Sequence, residues 1–211
     1  MATMSQPQNP IAALRRFART QPDVERCELC SKELGPEHQH LIEPDKRRLV
    51  CSCDACAILF SGQQGGRFKR VPRRIQLLPD FKMTDEEWDY LHLPINLAFF
   101  YFSSSAKRVI AMFPSPAGAT ESLLTLESWQ DLVAQNPILG QLESDVEALL
   151  VNRVGPIREY SRVPIDECFK LVGLIRTHWR GLSGGTEVWK EIAKFSASLK
   201  ERSVSIGGSH A

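Results

Sequence analysis

Cys27-Glu28-Leu29-Cys30, followed after twenty residues by Cys51-Ser52-Cys53-Asp54-Ala55-Cys56, decides how the first part of this sequence is read. Two residues between cysteines let a tight turn aim both thiolates at one ion. Zn²⁺ takes four such ligands in a tetrahedron at about 2.3 Å. Pairing Cys27 and Cys30 with Cys53 and Cys56 gives CxxC-x22-CxxC, close to the usual spacing of a structural zinc site. The apolar run Ala57-Ile58-Leu59-Phe60 follows at once. A zinc ribbon or treble clef hands over to a helix in this way, and the N-terminal dipole of that helix favours thiolates. Cys51 is a fifth thiol. It is an alternative ligand in place of Cys53, a residue packed beneath the site, or a redox-active group. Soft thiolates suit iron–sulfur centres as well as zinc. An iron–sulfur or thiol-based electron-transfer protein is therefore the first alternative, although the second trio lacks the ferredoxin spacing.

Between the pairs lies His38-Gln39-His40-Leu41-Ile42-Glu43-Pro44. His38 and His40 are read first as polar hairpin residues near the metal and only secondarily as ligands. The stretch resembles the ββα-metal (HNH) nucleases, whose histidine sits between two such knuckles. That resemblance implies a nucleic-acid-binding or cleaving zinc protein, the second alternative. The distal His and Asn that the nuclease pattern needs after the second knuckle are replaced by Ala57-Ile58-Leu59-Phe60. No catalytic constellation stands out elsewhere.

Composition narrows the remaining classes. The chain has 211 residues with a formal net charge of +1, so no global field draws it to nucleic acid or anionic membrane. The basic run Arg67-Phe68-Lys69-Arg70-Val71-Pro72-Arg73-Arg74 is the one nucleic-acid hint, with Phe68 placed for base stacking. Such runs are more often a solvated face or linker, and nucleic acid is disfavoured as a partner. Five of six cysteines fall between Cys27 and Cys56, whereas a disulfide framework would spread them along an exported chain. The N-terminal stretch lacks the apolar core of a signal peptide, and no run has the roughly 18 apolar residues of a membrane span. A cytoplasmic protein is expected.

Working outward, the sequence predicts an α+β chain. Residues 1–22 read as an arm with one short helix at 11–20. Residues 23–62 form the cysteine-rich metal-binding module, a zinc-ribbon or treble-clef-like knuckle. Residues 63–74 are a basic linker, 75–203 an α+β domain with an antiparallel sheet, and 204–211 a flexible tail. Within the domain, 75–78 is a strand. Thr84 and Glu87 form a capping box that starts a helix through 90. Residues 95–102 and 108–113 pair as a hairpin. Residues 114–118, Pro-Ser-Pro-Ala-Gly, are a rigid exposed loop suited to docking a partner. A short strand at 122–124 and a helix at 127–135 follow. Residues 145–152 read as strand or helix, with strand favoured because 157–163 would pair with them as a second hairpin across Gly155-Pro156. Two C-terminal helices close the chain. The first is opened by Pro164 at its N1 position and carries Ile165, Phe169, Val172 and Ile175 on one stripe. The second begins at Thr186 with the stripe Val188, Ile192, Phe195 and Leu199. Arg153, Arg176 and Arg180 are expected to pair with Asp145, Asp166 and Glu167. Cys168 reads as a buried core thiol.

Three further stretches carry a pattern. They are Phe113-Pro114-Ser115-Pro116-Ala117-Gly118-Ala119-Thr120-Glu121, Asp145-Val146-Glu147-Ala148-Leu149-Leu150-Val151-Asn152-Arg153, and Pro164-Ile165-Asp166-Glu167-Cys168 through Arg180-Gly181-Leu182-Ser183-Gly184-Gly185. Together with the CxxC…CxCxxC head, they make the chain resemble the DUF5947 family over roughly residues 25–200. Members tend to be encoded beside high-affinity uptake [NiFe]-hydrogenases. The resemblance implies an accessory role in hydrogenase assembly, electron transfer or complex formation, and the leading reading is a non-catalytic protein with hydrogenase subunits or maturation factors as protein partners. It carries over no catalytic residues.

Overall fold

In the computed structural model, residues 24–61, 66–122, 126–181 and 184–203 are described. The predicted N-terminal helix at 11–20 and the tail at 204–211 lie outside them. The chain builds two antiparallel sheets with five α-helices among the described residues. The fold is α+β, as the sequence predicts.

The first sheet is small. Strand β1 (Gln39–Glu43) turns through a short 3₁₀ segment, Pro44–Lys46, into β2 (Arg48–Ser52), with Arg47 left-handed at φ 49°. Helix α1 (Asp54–Ser61) follows directly, and β3 (Lys69–Arg70) returns to the free edge of β1. Leu41, Val50, Ala57 and Phe68 fill the space between hairpin and helix.

The second sheet is the body. Its order is β4 (Gln76–Leu77), β9 (Glu159–Pro164), β8 (Glu147–Asn152), β5 (Leu97–Ser103), β6 (Arg108–Ser115), β7 (Gly118–Ser122). Both predicted hairpins form, β5–β6 and β8–β9. Side chains alternate across a pleated strand. Phe99 and Tyr101 therefore join one core while Ala98 and Phe100 join the other. The strand Leu-Ala-Phe-Phe-Tyr is apolar throughout because both faces of the sheet are covered. One face takes α4 (Ile165–His178) and α5 (Gly185–Arg202) through Ile165, Cys168, Leu171, Ile175, Val188 and Ile192. The other takes Trp88 of α2 (Asp85–Tyr90), Leu132 of α3 (Leu126–Gln135) and Leu139.

Several details depart from the sequence reading. Residues 114–118 are no loop: Pro114 is buried within β6, and Pro116 and Ala117 make a tight turn into β7. That geometry removes the rigid docking loop. Pro164 ends β9 and caps α4 from outside rather than occupying its first turn. The carboxylates also choose other partners. Lys69 pairs with Asp145, His40 with Asp166, Arg202 with Glu167, and Arg153 with Asp85. Cys168 is fully buried, and burial pushes its thiol well above the usual range.

The capping box is present in both directions. The Glu87 N–H donates to Thr84 Oγ1 at 3.1 Å, and the Thr84 N–H donates to Glu87 Oε2 at 2.7 Å. Helix α2 has six residues, too few to hold itself without such ends. It positions Trp88, whose indole N–H donates to Asn96. Thr84→Ala is expected to cost about 1 kcal/mol, read as a lower urea midpoint with an unchanged slope.

Candidate metal centre

The first cysteine pair sits on a small knuckle. Arg26 and Glu33 bridge antiparallel, and the turn between them is closed by Cys27 N–H to Lys32 O at 2.8 Å and Ser31 N–H to Cys27 O at 2.7 Å. Ser31 takes the left-handed conformation, φ 63°, which is uncommon for a residue with a side chain. The knuckle is held to the hairpin by Glu28. Its N–H donates to Cys51 O, its carboxylate accepts from Cys51 N–H, and Arg48 pairs with it.

The second pair brackets the start of α1. Cys53 leaves β2, Cys56 lies in the first helical turn, and Ala57 N–H donates to Cys53 O at 2.9 Å. Helical phase thus brings residues three apart to the same side. The arrangement of knuckle, hairpin and helix is treble-clef-like.

This framework brings the Sγ atoms of Cys27, Cys30, Cys53 and Cys56 within 4.8 Å of one another, with Cys30 and Cys53 at 3.7 Å. A regular tetrahedron of thiolates about 2.3 Å from one ion has edges of about 3.8 Å. Cys27, Cys53 and Cys56 are buried, and Cys30 faces outward. Burial alone would raise the Cys27 thiol. Backbone N–H groups of Cys53, Leu29 and Cys30 overcome that and bring it down to about 6. Cys56 is pushed up to about 12, first by burial and then by the neighbouring thiols. Backbone hydrogen bonding from Lys32 favours the Cys30 thiolate, yet the adjacent Cys27 drives its value up. The Cys27 thiolate is thus favoured, and those of Cys30 and Cys56 are disfavoured beside it. Four together call for a cation, and the cluster is compatible with metal binding.

The remaining candidates stand elsewhere. Cys51 does not join the four. It lies on β2 directly opposite His40 and groups with His38 and His40. Asp166 reaches His40 across 126 residues, and nothing local in the sequence signals that pairing. The basic run is engaged by the protein itself. Arg67 pairs with Glu43, Lys69 with Asp145, Arg70 donates to Gln39, and Arg74 reaches Glu147 at 3.4 Å. Phe68 is buried beneath α1, so it offers no face to a base. With Arg67 and Lys46 beside it, the Glu43 carboxyl is held down to about 2. No helix among the described residues is long and apolar enough to cross a membrane.

No curated protein and no solved structure matches the chain. A family model matches residues 26–203, which span the knuckle, the hairpin, α1 and the whole six-stranded body. On that match the chain belongs to DUF5947, a family of unknown function.

Proposed function

We propose that the protein is a zinc-stabilised accessory protein that acts by binding another protein, with [NiFe]-hydrogenase assembly or complex formation as its setting. One observation carries the metal half of this reading: four cysteine Sγ atoms within 4.8 Å of one another, one pair of them at 3.7 Å, close to the edge of a single ion's tetrahedron. An iron–sulfur cluster is less well suited, because several irons, each bound to its own thiolate, would hold the ligands farther apart. The setting comes from the family resemblance, since members tend to be encoded beside such hydrogenases.

A contact surface supports the partner half. Ile58, Leu59 and Phe60 of α1 are 67%, 65% and 40% exposed, a run of apolar side chains beside the cysteine cluster. Apolar patches of this kind mark interaction sites more often than single exposed residues do. The test is a pulldown of the tagged chain at native expression level from cells making the hydrogenase, with metal content measured on the same oxygen-free preparation. Retention of zinc and co-purification of hydrogenase subunits or maturation factors support the proposal. A colourless zinc protein that brings down neither removes the hydrogenase setting. Iron with acid-labile sulfide would make the chain an electron carrier instead.

A further inference from the structure

Beside the four-thiol cluster lies a second group that the first site does not use. His38 and His40 are two residues apart at the entry to β1, and strand alternation puts them on one side. Cys51 faces His40 across the hairpin. One ligating atom from each of the three lies within 4.8 Å of the others, and the imidazole rings meet edge to face at 4.8 Å.

The hydrogen bonds fix which nitrogen is left over. His38 Nδ1 lies 3.0 Å from Gly35 O and 3.4 Å from Glu25 Oε2. His40 Nδ1 lies 2.7 Å from Asp166 Oδ2. Each of these partners accepts a hydrogen bond, so each Nδ1 is the N–H donor, and in the neutral ring Nε2 then carries the lone pair. Metal-bound histidines are oriented in the same way, by a carbonyl or carboxylate on the far nitrogen. His38 supplies a second, independent sign. Its side chain is only 7% exposed, and its Nε2 is buried with no hydrogen-bond partner. A buried lone pair without a donor is an unmet demand that a cation would satisfy.

We propose that His38, His40 and Cys51 form a second metal site, an open His₂Cys centre for a zinc-class divalent ion. Two imidazoles and one thiolate match the borderline softness of such an ion. Three protein ligands leave the fourth position to water or a partner's donor, as at open zinc sites. The side chain of His40 is 29% exposed, so solvent reaches one member of the group. Binding replaces the Cys51 S–H bond by a metal–sulfur bond and releases one proton to solvent. Asp166 is a positioning residue, since it holds the His40 ring and does not itself ligate.

The test uses the full chain, stripped of metal without oxygen and titrated with Co²⁺. Two equivalents are expected. The first carries the charge-transfer absorption of four thiolates, and the second adds that of one. His38→Ala and Cys51→Ser should each abolish the second equivalent and keep the first, which serves as the folding control. Cys27→Ser should lose the first, so failure of either site is read separately. Asp166→Asn should weaken the second equivalent about 10- to 100-fold without changing the stoichiometry. Should a variant lose both equivalents, imidazole nitrogen resonances of the wild-type chain decide. The Nε2 signals of His38 and His40 should move with the second equivalent of Zn²⁺. Uptake of one ion only, a second equivalent that survives in both variants, or unmoved Nε2 signals overturns the proposal.

Discussion

Cys53→Ser is expected to empty the four-thiol cluster of its metal and unfold the hairpin around it, while the six-stranded sheet stays folded. A structural zinc contributes on the order of 10–16 kcal/mol in isolated fingers, and its binding energy is folding energy. The small sheet's own core is only Leu41, Val50, Ala57 and Phe68, although Ile42 and Leu49 also pack on the body and Lys69 pairs with Asp145. The module should lose more than about 4 kcal/mol, a loss reserved for metal or disulfide removal and severe core damage. Hydrogen exchange with mass spectrometry reads the outcome. Amides of β1 and β2 should lose protection, and those of β5 and β8 should keep it. Metal content on the same sample should fall by one equivalent relative to the wild type. A variant that keeps this ion and its protection would show that Cys53 is not a ligand. Cys51→Ser, two residues earlier on β2, should keep the four-thiol ion.

The cysteine pairs were legible because metal chemistry is local: two residues of spacing make a knuckle, and one helical turn makes the other half. The same holds for the Thr84 capping box and for the hairpins of residues 97–115 and 147–164, whose signals lie within a few residues of each other. What the sequence hid is long-range. Nothing near Arg67 or Lys69 announces Glu43 and Asp145 as partners, so a strapped segment reads as a free basic run. Pro114 reads as a loop because proline cannot donate to a ladder, yet it sits in β6 opposite Ala119 of the edge strand β7. The alternation of His38 and His40 was visible. The carboxylate behind His40, from α4, was not.

Glu147→Ala should be the most damaging change in the body, at about 3–5 kcal/mol, because removing one partner leaves the other charge buried and unpaired. Glu147 is 1% exposed and pairs with the buried Arg162. It also accepts from Glu143 N–H at 2.9 Å and faces Arg74 at 3.4 Å. Arg162 has few other outlets: one Nη donates to Gln141 O, and its Nε is buried with no partner. A loss of this size is a large share of the 5–15 kcal/mol that holds a typical domain. Chemical denaturation of the variant checks it. Replacing both residues by apolar ones of similar volume should recover much of the loss. Acid should report on the same pair. Burial opposes ionisation of Glu147, but Arg162 wins and holds its carboxyl below the ordinary 4.5. Its folded value is depressed, so its contribution is complete above the unfolded value and disappears as pH falls through the folded one. Below about pH 4.5 the wild type should lose stability more steeply than Glu147→Gln. Equal slopes would mean that this carboxylate is not charged in the fold.

The contact between His40 and Asp166 also sets a schedule. The two residues are 126 positions apart, whereas all four clustered cysteines lie between Cys27 and Cys56. A ribosome adding about 5–20 residues per second delivers His40 first and Asp166, 126 residues on, roughly 6–25 s later. For that interval the young knuckle lacks the helix whose Asp166 will later hold His40. The four cysteines can therefore meet an ion while the rest of the polypeptide is still being made, before the body that supplies Asp166 exists.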